Sequence, residues 1–205
     1  MRDSKLWKAL SWAIELVIAS LLWLLYSLPV VTAGAASTAL YHTVVKCIRH
    51  ERGTLSRVFR ESFRSNFKSS TRMWLTYLAA IAVGAANVSA ARHMGGEGLT
   101  PLTALAGVIF LPDALTLTWM FAYLSRFENS WMGSLRFVGF LAVQNAGRSL
   151  LLAAELLGAM LIAWLIPYIA PLLPGPVALL ASLAVEPVFR AYTADAVVED
   201  AWFNE

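Results

Sequence analysis

Apolar residues recur in long, nearly uninterrupted runs along this chain, and the runs are parted by short polar stretches. Leu6 to Leu28 is the first run, with only Lys8 and Glu15 charged. A helix of about 20 residues crosses a hydrocarbon core roughly 30 Å thick, so this run is long enough to span. Pro29 ends it, because proline lacks the amide donor and clashes with the preceding turn. Further spans are expected at about 33–49, 74–91, 100–123, 149–169 and 177–192. The fold class expected is all-α: a polytopic membrane bundle of about six helices, one of them short, forming a single domain over residues 1–205.

Two polar stretches keep a helical period. In 54–68 (TLSRVFRESFRSNFK), Leu55, Phe59, Phe63 and Phe67 recur every four residues, while Arg57, Arg60, Arg64 and Lys68 form a basic face. A strong moment with this much charge predicts a helix lying in the membrane interface rather than crossing it. Residues 127–146 are read as a second cytoplasmic amphipathic segment. The second span begins with small residues, Ala33 to Ala36 around Gly34, and small residues let helices approach closely in lipid. Pro29, Gly34 and Ala35 are therefore the expected turn and close-contact positions.

Charge fixes the expected orientation. Residues 46–72 carry eight basic side chains against Glu51 and Glu61, a net +6 in a chain whose total is +3. Basic flanks of apolar spans collect on the cytoplasmic side. Arg2, Lys5 and Lys8 give the same signal, and an even number of spans between the two stretches satisfies both. The expected location is the bacterial plasma membrane, multi-pass, with both termini cytoplasmic. A signal peptide is the competing reading of the start, but its apolar region runs about 7–15 residues, and this one is longer and holds Glu15.

Composition supports lipid as the solvent: 59% of residues are hydrophobic, 14% are charged, and the mean hydropathy is +0.63. Eight tryptophans suit interfacial belts. The basic pI points to anionic lipid headgroups rather than nucleic acid, because the cations sit between apolar runs. A lone cysteine, Cys47, excludes an intrachain disulfide. No HExxH, GxSxG, GxxxxGK[ST] or CxxC pattern is present, so no enzyme activity and no cofactor or metal are expected.

Four acids fall inside apolar runs: Glu15, Asp113, Glu155 and Glu186. Ionisable groups at membrane depth are costly and mark functional sites by default. One reading is a shared polar centre serving an ion or proton path. The other is structural, with Glu186 paired to Arg190 on its own helix face, Asp113 satisfying backbone around Pro112, and Glu15 bonded to a neighbour.

The stretch LPVVTAG followed by STALY, the basic linker, FRESFRSNFK leading into Trp74, and the later Ser125–Ser130 segment (SRFENS) together resemble the YesL-like family of small bacterial membrane proteins. Ala35 departs from the pattern, where many members carry proline. The family has no established activity. Its usual setting beside binding-protein-dependent carbohydrate importers implies an accessory or assembly subunit, with permease or ATPase subunits of an ABC importer as partners. The alternative function is a small ion- or proton-coupled transporter or channel built on the intramembrane acids. For the Phe59/Phe63/Phe67 stripe, contact with lipid and docking of a partner are both open.

Overall fold

The computed structural model describes residues 5–93 and 115–192, with the side chains of residues 5, 6, 91 and 92 excepted. Among them, α1 is Lys5–Ser27, followed by a 3-10 turn at Val30–Thr32. α2 is Ala33–Thr43 and continues into a π-helical turn at Val44–Arg49. α3 is Leu55–His93, α4 Leu115–Leu124, α5 Trp131–Gln144 and α6 Ala146–Leu165. A 3-10 segment at Pro167–Leu172 leads to α7, Pro174–Tyr192. The chain is an all-α bundle with no strand among the described residues. Three helices are long and apolar enough to cross a membrane: Trp7–Ser27, Leu55–Ala90 and Ala146–Leu165.

One expectation is corrected by α3. Residues 54–68 and 74–91 are not an interfacial helix followed by a separate span; they belong to one helix of 39 residues. At 1.5 Å per residue it is about 58 Å long, nearly twice the hydrocarbon thickness. The reason is local: no glycine or proline occurs from Leu55 to Val83, so nothing interrupts the hydrogen-bond ladder where polarity changes.

α2 runs antiparallel along the polar half of α3. Thr38 Oγ1 and Ser70 Oγ are 2.9 Å apart, and Trp74 Nε1 donates to the Val30 carbonyl at 2.7 Å. Close approach is possible because Gly34 has no side chain. A Cβ there would stand 2.4 Å from Trp74 Cβ and 2.9 Å from the Ser70 carbonyl oxygen. α1 joins the same layer: Lys8 reaches Glu51 at 3.7 Å, and Trp23 Nε1 donates to Ser37 Oγ at 3.0 Å. The tip of the α1–α2 hairpin therefore lies beside Trp74, and both helices accompany the charged part of α3.

Packing in this layer takes up much of the phenylalanine stripe. Phe59 is fully buried among Ala39, Leu40, Val44 and Ile48 of α2 and its π turn, with Ala19 of α1 and Ala178 of α7. Tyr26 meets Phe59 and Phe63 edge-on, with centroids 5.3 and 4.8 Å away. Neither lipid nor a partner reaches Phe59; of the stripe's phenylalanines only Phe67, 39% exposed, stands at the surface. The stripe was legible as a face, but the face it meets is this chain's own α1 and α2.

A second apolar cluster joins α2, α3, α4, α5, α6 and α7 through Tyr41, Met73, Tyr77, Trp119, Leu141, Leu152 and Phe189, among others. Two polar pairs tie it together. Trp119 Nε1 donates to Ser149 Oγ at 2.9 Å, and Tyr77 donates its hydroxyl to Thr116 Oγ1 at 2.9 Å.

Candidate functional site

Glu186 lies at the centre of the second cluster, on α7 and immediately before Pro187. Its carboxylate is engaged on both oxygens. Tyr41, near the end of α2, donates its hydroxyl to Oε1 at 2.9 Å. Arg126, in the turn after α4, donates Nη2 to Oε2 at 2.8 Å. The side chains of Arg126 and Glu186 are 4% and 2% exposed. The expected Glu186–Arg190 pairing is thus replaced by an ion pair to a residue 60 positions away in sequence.

Local structure explains why Arg126 points inward. Helix α4 ends in a tight turn, in which the amides of Arg126 and Phe127 both donate to the Tyr123 carbonyl. That turn folds Phe127 back onto Tyr123 in a stacked contact, centroids 5.1 Å apart. Phe127 in turn meets Phe189 edge-on at 5.5 Å, and the Arg126 guanidinium lies 5.8 Å from the Phe189 ring centre. A planar guanidinium suits such a place, since it binds a carboxylate and an aromatic ring at once. Ser130 then caps α5, accepting from the Gly133 amide at 3.2 Å.

Two further contacts fasten the same region. Arg49, on the π turn, donates Nη1 to the Ser182 carbonyl at 2.8 Å and to Ser182 Oγ at 3.2 Å. His42 Nδ1 lies 3.4 Å from the Ser125 carbonyl. α7 is therefore held by polar groups from α2, the π turn and the α4–α5 turn. This arrangement is a closed clasp around one buried ion pair. An enclosed carboxylate with a guanidinium and a hydroxyl already on it is chemically a helix-to-helix tie, since neither oxygen is turned toward an open space.

The remaining acids do not join it. Glu15 is half-buried on α1, in a cavity shared with Cys47 and Glu51. Glu155 is half-buried on α6, against the backbone of Ala181 on α7. Asp113 and Pro112 lie outside the described residues. The described acids thus occupy three separate settings rather than one polar centre. No group of three His, Cys, Asp or Glu side chains suited to a metal ion occurs among the described residues.

The basic edge of α3 is the other candidate. Arg57 pairs with Glu61 one turn on, at 2.8 Å, with both side chains more than half exposed. Screening makes such a pair a weak contributor. Arg60, Arg64, Lys68 and Arg72 continue the edge at three- and four-residue spacing; all are exposed, and none forms an ion pair with a described residue.

Tyr41, Arg49, Arg126 and Ser182 were not singled out from sequence as site residues. A signal for two of them was present: Tyr41 closes STALY and Arg126 opens SRFENS after its serine, and these stretches meet on one carboxylate. Residues 16–88 match a family described as a protein of unknown function, DUF624. The matched stretch runs from α1 into α3 and includes Tyr41, but neither Arg126 nor Glu186. No curated protein and no solved structure matches the chain.

Proposed function

We propose that the protein is a non-enzymatic accessory or assembly subunit of the bacterial plasma membrane, multi-pass with both termini cytoplasmic, which docks a membrane partner along the basic edge of α3. The observation that carries this reading is the placement of Arg60, Arg64, Lys68 and Arg72. They are exposed, lack counter-ions among the described residues, and run beside α1, whose outward face is apolar from Leu10 to Leu25. An unpaired cation among apolar helices costs about 2.5–3.5 kcal/mol at the membrane centre on insertion scales. Acidic groups on a partner, aided by anionic headgroups at the edge's ends, offset that cost.

The partner we assign is a permease or ATPase subunit of a carbohydrate ABC importer. What supports that identity is the resemblance of LPVVTAG, STALY and SRFENS to the YesL-like family. The clasp at Glu186 supports a scaffold more than a conduit, because its carboxylate is engaged on both oxygens and enclosed.

The test is purification from the native host in a mild detergent, comparing wild type with Arg60→Glu/Arg64→Glu. The importer's permease and ATPase are expected with the wild type and lost with the variant, while the thermal unfolding of the two proteins agrees. Equal recovery of importer subunits with both would overturn the docking reading. Solute or proton flux from wild-type protein alone in liposomes would replace it with the transporter reading.

A further inference from the structure

We propose that the cavity between the N-terminal half of α1 and the turn before α3 binds the ammonium-bearing headgroup of an aminophospholipid. The cavity measures about 260 Å3, and its walls include Trp7, Lys8, Trp12, Glu15, Cys47 and Glu51. Drug-sized ligand pockets run from about 300 Å3 upward, so this one suits a headgroup and not a whole lipid.

Among the described residues its charge is out of balance, two carboxylates against one ammonium. Glu15 is half-buried in an apolar helix and makes no ion pair or hydrogen bond with a described residue. A carboxylate in such a place is costly without a counter-charge. Glu51 reaches Lys8 of α1 from an unusual backbone: its φ is +53°, and Gly53 follows at +82°. A non-glycine residue in the left-handed region is uncommon and points to a position fixed by its surroundings. Among the described residues, Lys8 is the one cation lining the cavity, at 3.7 Å from Glu51, the long end of an ion pair, with both side chains more than half exposed. Two carboxylates thus share one loosely held ammonium.

The aromatic walls fit the missing charge. Trp7 and Trp12 are 55% and 39% exposed beside these carboxylates. Indole faces attract organic cations, and tryptophan settles at the headgroup level of a bilayer. A primary ammonium supplies three N–H donors for Glu15 and Glu51. The phosphate that accompanies it in an ethanolamine lipid meets Lys8, releasing that side chain from its weak hold on Glu51. A phosphatidylglycerol headgroup brings only negative charge and is repelled. A choline headgroup has the cation but no N–H to donate. The site's lining includes none of Arg60, Arg64, Lys68 and Arg72, and it does not depend on what that edge docks.

Native mass spectrometry of the purified protein tests this, with phosphatidylethanolamine, phosphatidylglycerol and phosphatidylcholine of matched acyl chains in equal amounts. Wild type is expected to retain the ethanolamine lipid about tenfold over the glycerol lipid, an energy difference of about 1.4 kcal/mol. Glu15→Gln/Glu51→Gln should abolish that preference. Should the double variant not fold, Glu51→Gln alone, at an exposed turn position, should lower the preference measurably. Soluble phosphoethanolamine separates the sources: displacement of the lipid by it shows that the headgroup alone is recognised, and retention in its presence shows that the anchored lipid is the ligand. Equal retention of the three lipids by wild type, or an unchanged preference in the carboxamide variants, would overturn the proposal.

Discussion

Replacing Arg126 by methionine should be among the most destabilising single changes in the described structure, although Arg126 sits in a turn. The substitution keeps an unbranched side chain of similar reach and removes the charge. It leaves the Glu186 carboxylate, 2% exposed, with the Tyr41 hydroxyl as its remaining donor. Removing one partner of a buried ion pair costs about 3–5 kcal/mol, because the other charge stays desolvated. Tyr41→Phe removes a single hydrogen bond to a charged acceptor and should cost about 1.5–3 kcal/mol. For a chain of this size, 1 kcal/mol corresponds to about 2–4 °C in Tm. Arg126→Met should therefore melt about 6–20 °C below wild type, followed by loss of helical circular dichroism in detergent micelles. Arg126→Met/Glu186→Leu removes both charges and should recover much of that loss, since well-packed apolar groups often replace a buried pair at little cost. An Arg126→Met protein within about 2 °C of wild type, or a double variant less stable than the sum of its single changes, would refute the clasp as an energetic tie.

Gly34→Ala should lower stability by about 1–3 kcal/mol, as over-filled contacts do, because its Cβ would stand 2.4 Å from Trp74 Cβ. Gly158→Ala on α6 meets nothing within 4 Å, so it should be neutral or stabilise by about 0.5–1 kcal/mol; thermal melts of the two variants check the contrast. Phe59→Ala should cost about 3–5 kcal/mol by emptying a filled core position, and Phe67→Ala should cost less than half as much. Equal effects at the two positions would mean that the stripe contacts lipid along its whole length.

Much of the candidate site was hidden because its parts are distant in sequence. Glu186 stood out as an acid in an apolar run, yet Tyr41 lies 145 positions before it and Arg126 lies 60. Arg190, four residues on, looked like the natural partner because helical spacing brings such pairs together. What decided otherwise is the α4–α5 turn, which delivers a guanidinium into an aromatic nest. The Phe59 stripe teaches the same lesson from another side. Its four-residue period correctly placed Leu55, Phe59, Phe63 and Phe67 on one face, while the occupant of that face depended on where α1 and α2 fold back.

The sequence by itself determined the all-helical class, the apolar lengths suited to a bilayer, the break at Pro29 and the basic edge of α3. Each follows from local rules: run length against membrane thickness, proline's missing donor, and the 3.6-residue period. Tertiary structure alone decided that α1 and α2 lie along the charged half of α3, that Glu186 is clasped by Tyr41 and Arg126, and that Glu15 and Glu51 face each other across a cavity. Periodicity states which side chains share a face, but the partner of that face is chosen by close approach, as at Gly34, and by the need to neutralise charge in a medium that hydrates it poorly.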